Sequence, residues 1–161
     1  MLRIGLGYDV HRFEAGGPLR LGGVDIDHDH HLAGHSDADA LLHAVTDALL
    51  GAAALGDIGE LFPDTDPAHR GGNSAEMLEL AWRRVLEQGW ELVNLDCVVH
   101  LQRPKLLPYR EPIRASVARI LNVDVDQIWL KAKTGESVGP IGRGEALAVQ
   151  CVALLTKTGS V

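Results

Sequence analysis

The spacing of hydrophobic residues predicts three helices in this chain. Leu42, Val45 and Leu49 recur at intervals of three or four residues, which is the repeat of a helix that buries one face. Two later segments carry similar stripes. Ser36 or Asp37 is placed to cap the first helix, because either side-chain oxygen can accept a hydrogen bond from a free backbone N–H. The predicted helices span residues 37–55, 74–88 and 108–121.

Shorter hydrophobic runs between these helices predict strands. They lie at residues 2–12, 91–101, 128–133 and 146–157. Residues 19–21 and 24–26 flank the pair Gly22-Gly23 and predict a short hairpin. Residues 28–36 and 56–66 are polar and are predicted as loops. The alternation of strands and helices predicts one α/β (α+β) domain over residues 1–161, with a layer of helices on one sheet.

Composition and charge narrow the possible partners. The 161 residues are 46% hydrophobic but only 4% aromatic, so the core is built from aliphatic side chains. The net charge of −7 and the absence of a Lys/Arg run argue against binding to nucleic acid or to anionic membranes. No apolar run reaches about 18 residues, which argues against a membrane span and favours the cytoplasm. Cys97 and Cys151 form no CxxC motif, and two buried thiols are the simplest interpretation.

Carboxylates and histidines occur at spacings that suit a metal ion. Asp9 and His11 lie two residues apart on the first predicted strand, so both side chains leave the same face. Asp39, His43 and Asp47 share one face of the first predicted helix, opposite its hydrophobic stripe. A solvated polar face is the simplest interpretation of Asp39. His43, however, must pack near the first strand in so small a domain, so Asp9, His11 and His43 form a candidate three-ligand site.

Further histidines precede the first predicted helix. His28, His30 and His31 are given no role, because histidines in a polar loop are most often simply solvated. His35 and Ser36 adjoin the N-terminus of the helix, where free N–H groups and the helix dipole favour an anion. They are candidate phosphate ligands, although Ser36 serves equally well as a plain cap.

Two more clusters combine glycine with oxygen-bearing side chains. Residues 56–59 (GDIG) and 62–66 (FPDTD) offer acceptors for sugar-like hydroxyls, but Asp and Gly are also ordinary turn formers. Residues 131–136 (KAKTGE) and 142–145 (GRGE) form the second cluster. Thr134 and Glu136 suit a phosphate and a hard cation such as Mg²⁺, and a plain turn between strands is the alternative.

Together these segments resemble one known enzyme family over essentially the whole chain. Residues 7–11 (GYDVH), the block from position 35 to position 66, and residues 142–145 are similar to the 2-C-methyl-D-erythritol 2,4-cyclodiphosphate synthases. The chain departs from the family in two places: Lys133 and Gly135 flank Thr134 where threonines are frequent, and Pro140 stands where an aromatic residue is frequent.

The resemblance implies a mixed sheet with helices packed on one face. It also implies a homotrimer whose sheets face the trimer axis and whose active sites lie between adjacent subunits. The implied reaction converts 4-diphosphocytidyl-2-C-methyl-D-erythritol 2-phosphate, a cytidine diphosphate conjugate, to the cyclic diphosphate and CMP. This is a step of the non-mevalonate isoprenoid pathway.

The resemblance further implies roles for individual residues. Asp9, His11 and His43 would bind Zn²⁺, one ion per subunit, and Glu136 would bind Mg²⁺ or Mn²⁺. The catalytic residues, which stabilise the transition state, would be His35 and Thr134. Residues 101–107 and 133–136 would form the pocket for the cytidine diphosphate group. Substrate contacts are implied for Asp9, His11, His35, Ser36, Asp57, Ile58, Gly59, Phe62, Pro63, Asp64, Thr65, Asp66, Leu101, Gln102, Arg103, Pro104, Lys105, Leu106, Leu107, Lys133, Thr134, Gly135, Glu136 and Arg143.

Two other classes of protein fit the same residues. One is a zinc hydrolase, in which a metal-bound water attacks a phosphate and releases inorganic phosphate or an open diphosphate. The other is a non-catalytic trimeric scaffold that keeps zinc for structure. Structural zinc sites usually have four protein ligands, whereas three are visible here.

Overall fold

A computed structural model describes residues 1–34, 36–63, 72–157 and 159. Its strands are β1 (Leu2–Ala15), β2 (Leu19–Leu21), β3 (Val24–Ile26), β4 (His30–Leu32), β5 (Trp90–His100), β6 (Ile128–Lys133) and β7 (Ala146–Lys157). Its helices are α1 (Ala40–Ala53), α2 (Ile58–Leu61), α3 (Ser74–Glu87), α4 (Arg110–Leu121) and α5 (Gly139–Gly142). Single 3₁₀ turns cover Leu107–Tyr109 and Val125–Gln127.

Five strands form one mixed sheet in the order β4-β1-β7-β5-β6. The long strand β7 pairs antiparallel with both β1 and β5, while β5 and β6 run parallel. Helix α1 packs on β1 and β7, and α3 and α4 continue the helical layer toward β5 and β6. This arrangement confirms the predicted fold class, a mixed sheet with helices on one face.

Helix α1 approaches the sheet closely because two positions of strand β1 that face the helix are glycines, which have no side chain. Gly5 and Gly7 face α1, and a Cβ added to Gly7 would lie 1.8 Å from the carbonyl oxygen of Ala44. Alternation along the strand places Asp9 and His11 on this same face. The glycines therefore bring the ligand-bearing strand and helix together.

The opposite face of β1 carries large apolar side chains that the helices do not cover. Each of them is at least 49% exposed in the isolated chain: Leu2, Ile4, Leu6, Tyr8 and Val10. Val152 of β7 is Leu6's partner across the ladder, and it is also exposed. The described part of the chain includes no helix that is both long and apolar enough to cross a membrane.

Several elements agree with the sequence prediction and several do not. The hairpin, β6 and β7 have the predicted bounds. The predicted loop at residues 28–36 is wrong in part, because His30–Leu32 pairs with the end of β1 as β4. The short helices α2 and α5 were not predicted, since four residues are too few for a periodic pattern.

The start of the first helix also differs from the prediction. Asp39, not Ser36 or Asp37, is the cap, and its Oδ1 accepts from the N–H of Leu42 at 3.1 Å. The two oxygens of Asp39 also accept from the N–H groups of Gly22 and Gly23, at 2.8 and 2.7 Å. The interpretation of Asp39 as part of a solvated face is therefore wrong: the carboxylate is fully buried and ties the hairpin to α1.

Candidate active site

Three predicted metal ligands meet between β1 and α1. Oδ2 of Asp9 lies 2.9 Å from Nε2 of His11 and 3.1 Å from Nδ1 of His43. One ligand atom from each of the three residues lies within 4.8 Å of the others. The side chains are partly buried, with exposed fractions between 14% and 24%, so a ligand can reach them from one side.

The remaining ring nitrogens fix which imidazole atoms face the centre. Nδ1 of His11 lies 2.6 Å from the carbonyl oxygen of Ala33, which can only accept, so this nitrogen carries the proton. Nε2 of His43 lies 2.8 Å from Oγ of Ser74. The hydroxyl of Ser74 donates to Oδ1 of Asp37 in a short hydrogen bond, which leaves Oγ free to accept from His43.

In the tautomers that these contacts favour, each imidazole turns its other ring nitrogen toward a carboxylate oxygen of Asp9. Three acceptors at one point require a cation, either a bound proton or a metal ion. A tetrahedral ion with bonds of about 2.0–2.1 Å holds neighbouring ligand atoms about 3.3 Å apart, and the separations of 2.9 and 3.1 Å are near this value. The donor set of one carboxylate and two imidazoles fits Zn²⁺ with an open fourth position.

The pKa values of the metal-free cluster follow from the same contacts. Burial raises the pKa of the Asp9 carboxyl, but hydrogen bonds and charge from His11 and His43 together lower it well below its usual range. The hydrogen bond with Asp9 raises the pKa of the His11 imidazole, and burial opposes this only in part. Without a metal ion, a proton at this centre is therefore held by the His11 imidazole and not by the Asp9 carboxyl.

Sequence reasoning missed the residues that orient the ligands. Ser74 begins α3 and lies 31 positions from His43, and its backbone N–H also donates to Asp37, at 3.1 Å. Such supporting groups fix the ring orientation and tautomer of a ligand histidine. Neither residue forms a local motif with His43, although Asp37 was noted as a candidate cap.

The predicted nucleotide-binding segments form a second region. Most of residues 101–107 line one cavity of about 260 Å³ together with Lys133 and Thr134. Its walls combine apolar side chains, including Leu101 and Leu106, with the cations of Lys105 and Lys133. A neighbouring cavity of about 740 Å³ is lined by Asp27, His28, Asp29, Gln102, Arg103, Pro104, Lys105 and Thr134.

Within one chain the two regions lie apart. Asp9 pairs with Val149, Val149 with Val99, and Val99 with Ala132, so Asp9 and Ala132 share one row across the sheet. Three strand spacings separate them, which corresponds to roughly 14 Å. Thr134 directly follows Lys133, the last residue of β6.

The other predicted site residues occupy turns around these regions. Glu136 accepts from the hydroxyl of Thr134 at 2.9 Å, and the N–H of Gly135 donates to Gln102 at 3.2 Å. Arg143 is exposed and forms a bidentate ion pair with Glu145, at 2.7 and 3.0 Å.

The predicted sugar-binding segment begins at a helix cap. Asp57 caps α2, which contains Ile58 and Gly59, and Oδ1 of Asp47 anchors that turn through the N–H of Ile58 at 2.8 Å. Phe62 is buried and Pro63 is exposed.

Ser36 lies 3.4 Å from Nε2 of His43 and so adjoins the metal cluster. Four predicted residues lie outside the described residues: His35, Asp64, Thr65 and Asp66.

The fold and the cluster together define an α+β protein with a candidate metal site and, elsewhere on the same chain, a polar cleft. Comparison with known proteins identifies its family. The profile of the YgbB family matches residues 2–156, and the chain belongs to that family.

Relatives and solved structures agree with this assignment. A 2-C-methyl-D-erythritol 2,4-cyclodiphosphate synthase of Gemmatimonas aurantiaca is 53% identical over 160 residues, which cover 99% of this chain and 96% of the relative. The structure of a synthase of the same name in its CDP-bound form has a TM-score of 0.88 and 44% identity, covering 96% of this chain and 100% of the other. The bifunctional IspDF of Campylobacter jejuni has a TM-score of 0.94 and 44% identity, and the match covers 98% of this chain but 42% of that longer chain.

Proposed function

We propose that this chain converts 4-diphosphocytidyl-2-C-methyl-D-erythritol 2-phosphate to 2-C-methyl-D-erythritol 2,4-cyclodiphosphate and CMP. An oxygen of the 2-phosphate attacks the β-phosphorus of the diphosphate, and CMP leaves. The reaction is an intramolecular phosphoryl transfer in the non-mevalonate pathway to isoprenoids. Membership of the YgbB family over nearly the full length supports this function.

The observation that carries the proposal is the convergence of Asp9, His11 and His43 on one point. Their three acceptor atoms suit a divalent ion and leave a position for a phosphate oxygen. Zn²⁺ held there and Mg²⁺ or Mn²⁺ held by Glu136 would supply the positive charge that two anionic phosphates need in order to approach.

The side chains supply orientation more than covalent chemistry. Ala33 and the Ser74–Asp37 pair hold the two imidazoles in fixed tautomers. Lys105 and Lys133 face the cavity that we assign to the cytidine diphosphate group, where they oppose its charge. Thr134 lines the same cavity, and its hydroxyl, which donates to Glu136 in the free chain, would contact a phosphate oxygen of the bound substrate. Holding the substrate folded back on itself lowers the barrier by an orientation effect that reaches about 7–11 kcal/mol.

We propose further that the active site is shared between neighbouring subunits of a homotrimer. The separation of roughly 14 Å between Asp9 and Ala132, along one row of the sheet, is large for one folded substrate within one chain. The uncovered apolar face of β1, defined above by Leu2 to Val10, supports the assembly, because large contiguous apolar patches mark interfaces. A ring of three chains gives three equivalent heterologous contacts. The cytoplasmic location stays a prediction from the sequence.

The activity is tested by incubating the purified, zinc-loaded protein with the proposed substrate and Mg²⁺ and following CMP by chromatography. We expect CMP release that depends on both the protein and a divalent ion. The matched control is His43→Ala, which should retain the fold, bind one equivalent of zinc fewer and release no CMP. Normal CMP release by a His43→Ala protein that lacks this equivalent would refute the role of the cluster.

The shared site is tested by co-expressing Asp9→Ala chains with Thr134→Ala chains. Each homotrimer carries a lesion in every site. In a mixed trimer, the intact metal side of a Thr134→Ala chain can face the intact nucleotide side of an Asp9→Ala chain, so activity should return. Activity of purified mixed trimers no greater than the sum of the parents would contradict the shared site, as would a monomeric mass by light scattering.

A further inference from the structure

A second cluster of potential metal ligands lies at the start of β4. His28, Asp29 and His30 each place one ligand atom within 4.8 Å of the other two. Oδ1 of Asp29 lies 2.8 Å from Nδ1 of His30 and 3.5 Å from Nδ1 of His28. These separations bracket the value of about 3.3 Å that a tetrahedral ion with bonds of about 2.0–2.1 Å requires.

Packing holds the two imidazoles in place before any ion binds. The ring of Phe13 meets His28 edge-on at a centroid distance of 5.7 Å and His30 at 6.4 Å. Phe13 itself packs against the hydrophobic core. Pairing of Ala15 with His30 fixes the backbone at the first residue of β4. The two imidazoles are therefore constrained, and less of their conformational entropy is lost on binding, whereas the Asp29 side chain is 82% exposed.

The cluster faces a cleft with balanced charge. His28, Asp29 and His30 line a cavity of about 240 Å³ with Arg103 and Arg143. The charge of Arg143 is already matched by its bidentate pair with Glu145. The adjoining larger cavity is lined by the carboxylates of Asp27 and Asp29 and by the cations of Arg103 and Lys105.

We propose that His28, Asp29 and His30 form an additional binding site for a divalent transition-metal ion such as Zn²⁺. Imidazole and carboxylate ligands suit Zn²⁺, Cu²⁺ and Ni²⁺ better than Mg²⁺, which prefers oxygen ligands throughout. The site differs from the Asp9 cluster in every ligand. Three protein ligands leave a coordination position open toward the cleft, where water or an anion would complete the shell.

Adjacent residues supply a matched control. His31 follows His30 in β4, so its side chain leaves the opposite face of the strand. Its Nδ1 lies 2.6 Å from the carbonyl oxygen of Gly16, and its Nε2 lies 3.9 Å from a carboxylate oxygen of Glu14. The variant His31→Asn therefore removes a neighbouring imidazole from β4 and leaves all three proposed ligands in place.

The experiment is a Zn²⁺ titration of the metal-stripped full-length protein against a chromophoric chelator of known affinity. The double variant His28→Asn/His30→Asn should bind one equivalent of Zn²⁺ per chain fewer than both the unsubstituted protein and His31→Asn. Equal stoichiometry in all three proteins would overturn the proposal.

A second measurement uses the unsubstituted protein and so does not depend on how a variant folds. With ¹⁵N-labelled histidine, the NMR chemical shifts of the ring nitrogens of His28 and His30 should change when Zn²⁺ is added beyond the equivalent taken up by His11 and His43. The chemical shifts of the His31 ring nitrogens should not change. Saturation of the Asp9 cluster with no later shift at His28 and His30 would overturn the proposal.

Discussion

The close contact between β1 and α1 is tested most directly by the substitution Gly7→Ala. The new Cβ would lie 1.8 Å from the carbonyl oxygen of Ala44, whereas ordinary contact begins at 3.4 Å, so strand and helix must separate by about 1.6 Å. Overpacking of this kind costs about 1–3 kcal/mol or more.

The same displacement should disrupt the metal cluster. Moving α1 away from β1 lengthens the distance from Asp9 Oδ2 to His43 Nδ1 from 3.1 Å toward about 4.7 Å. A single ion with bonds of about 2.0–2.1 Å cannot join ligand atoms more than about 4.2 Å apart. We therefore expect Gly7→Ala to lose both stability and bound zinc.

The assay combines urea unfolding with zinc content after dialysis, and Gly51→Ala is the control. Gly51 lies in α1 with no atom within 4 Å of an added Cβ, so alanine there should stabilise the helix by up to about 1 kcal/mol and leave zinc unchanged. Two alanine substitutions in contacting elements should thus act in opposite directions. A Gly7→Ala protein with undiminished stability and full zinc would refute the reasoning.

Three further predictions concern the ions. Ser74→Ala should lower zinc affinity by about 10–100-fold, because His43 loses the acceptor that fixes its tautomer, and Ser74→Thr should restore much of it in a competition titration. Glu136→Gln should raise the Mg²⁺ concentration needed for half-maximal activity and leave zinc content unchanged; an identical Mg²⁺ curve would contradict the assignment. In the zinc-free protein, the raised pKa of His11 contributes stability that is complete below its unfolded value of 6.5 and is lost as pH rises through the folded value. Urea unfolding of the stripped protein from about pH 6 to about pH 9 should therefore show declining stability from this group, and zinc should reverse the trend, because protonation competes with the metal.

The sequence predicts the sheet well where hydrophobic runs are long. Strands β6 and β7 have the predicted bounds, because a run of alternating or buried apolar residues is a local signal. Strand β4 has no such signal: it is polar, and it forms by pairing with the end of β1, as in the pairs Ala15–His30 and Phe13–Leu32. The cap of α1 was mispredicted for a similar reason, since Asp39 is selected by the N–H groups of the hairpin as well as by the helix.

The metal ligands were within reach of the sequence, but their supporting groups were not. Asp9 and His11 are two apart on a strand, and His43 lies on a predicted helix face, so pattern and compactness suffice to propose the cluster. The contact of Ser74 with His43 joins two helices through a chain segment of 31 residues, and no local spacing encodes it. The assignment of residues 101–107 to a nucleotide pocket came from family resemblance alone, and the structure adds that most of them line one cavity with Lys133 and Thr134.

The central claim, intramolecular attack of one phosphate on the other, is tested by running the reaction in H₂¹⁸O and examining the product by ³¹P NMR and mass spectrometry. The account predicts a cyclic product with two coupled phosphorus resonances, equimolar CMP and no ¹⁸O in either product, because no water enters the transfer. An open-chain phosphate product or CMP carrying ¹⁸O would instead indicate attack by water and a zinc hydrolase, and would contradict the account.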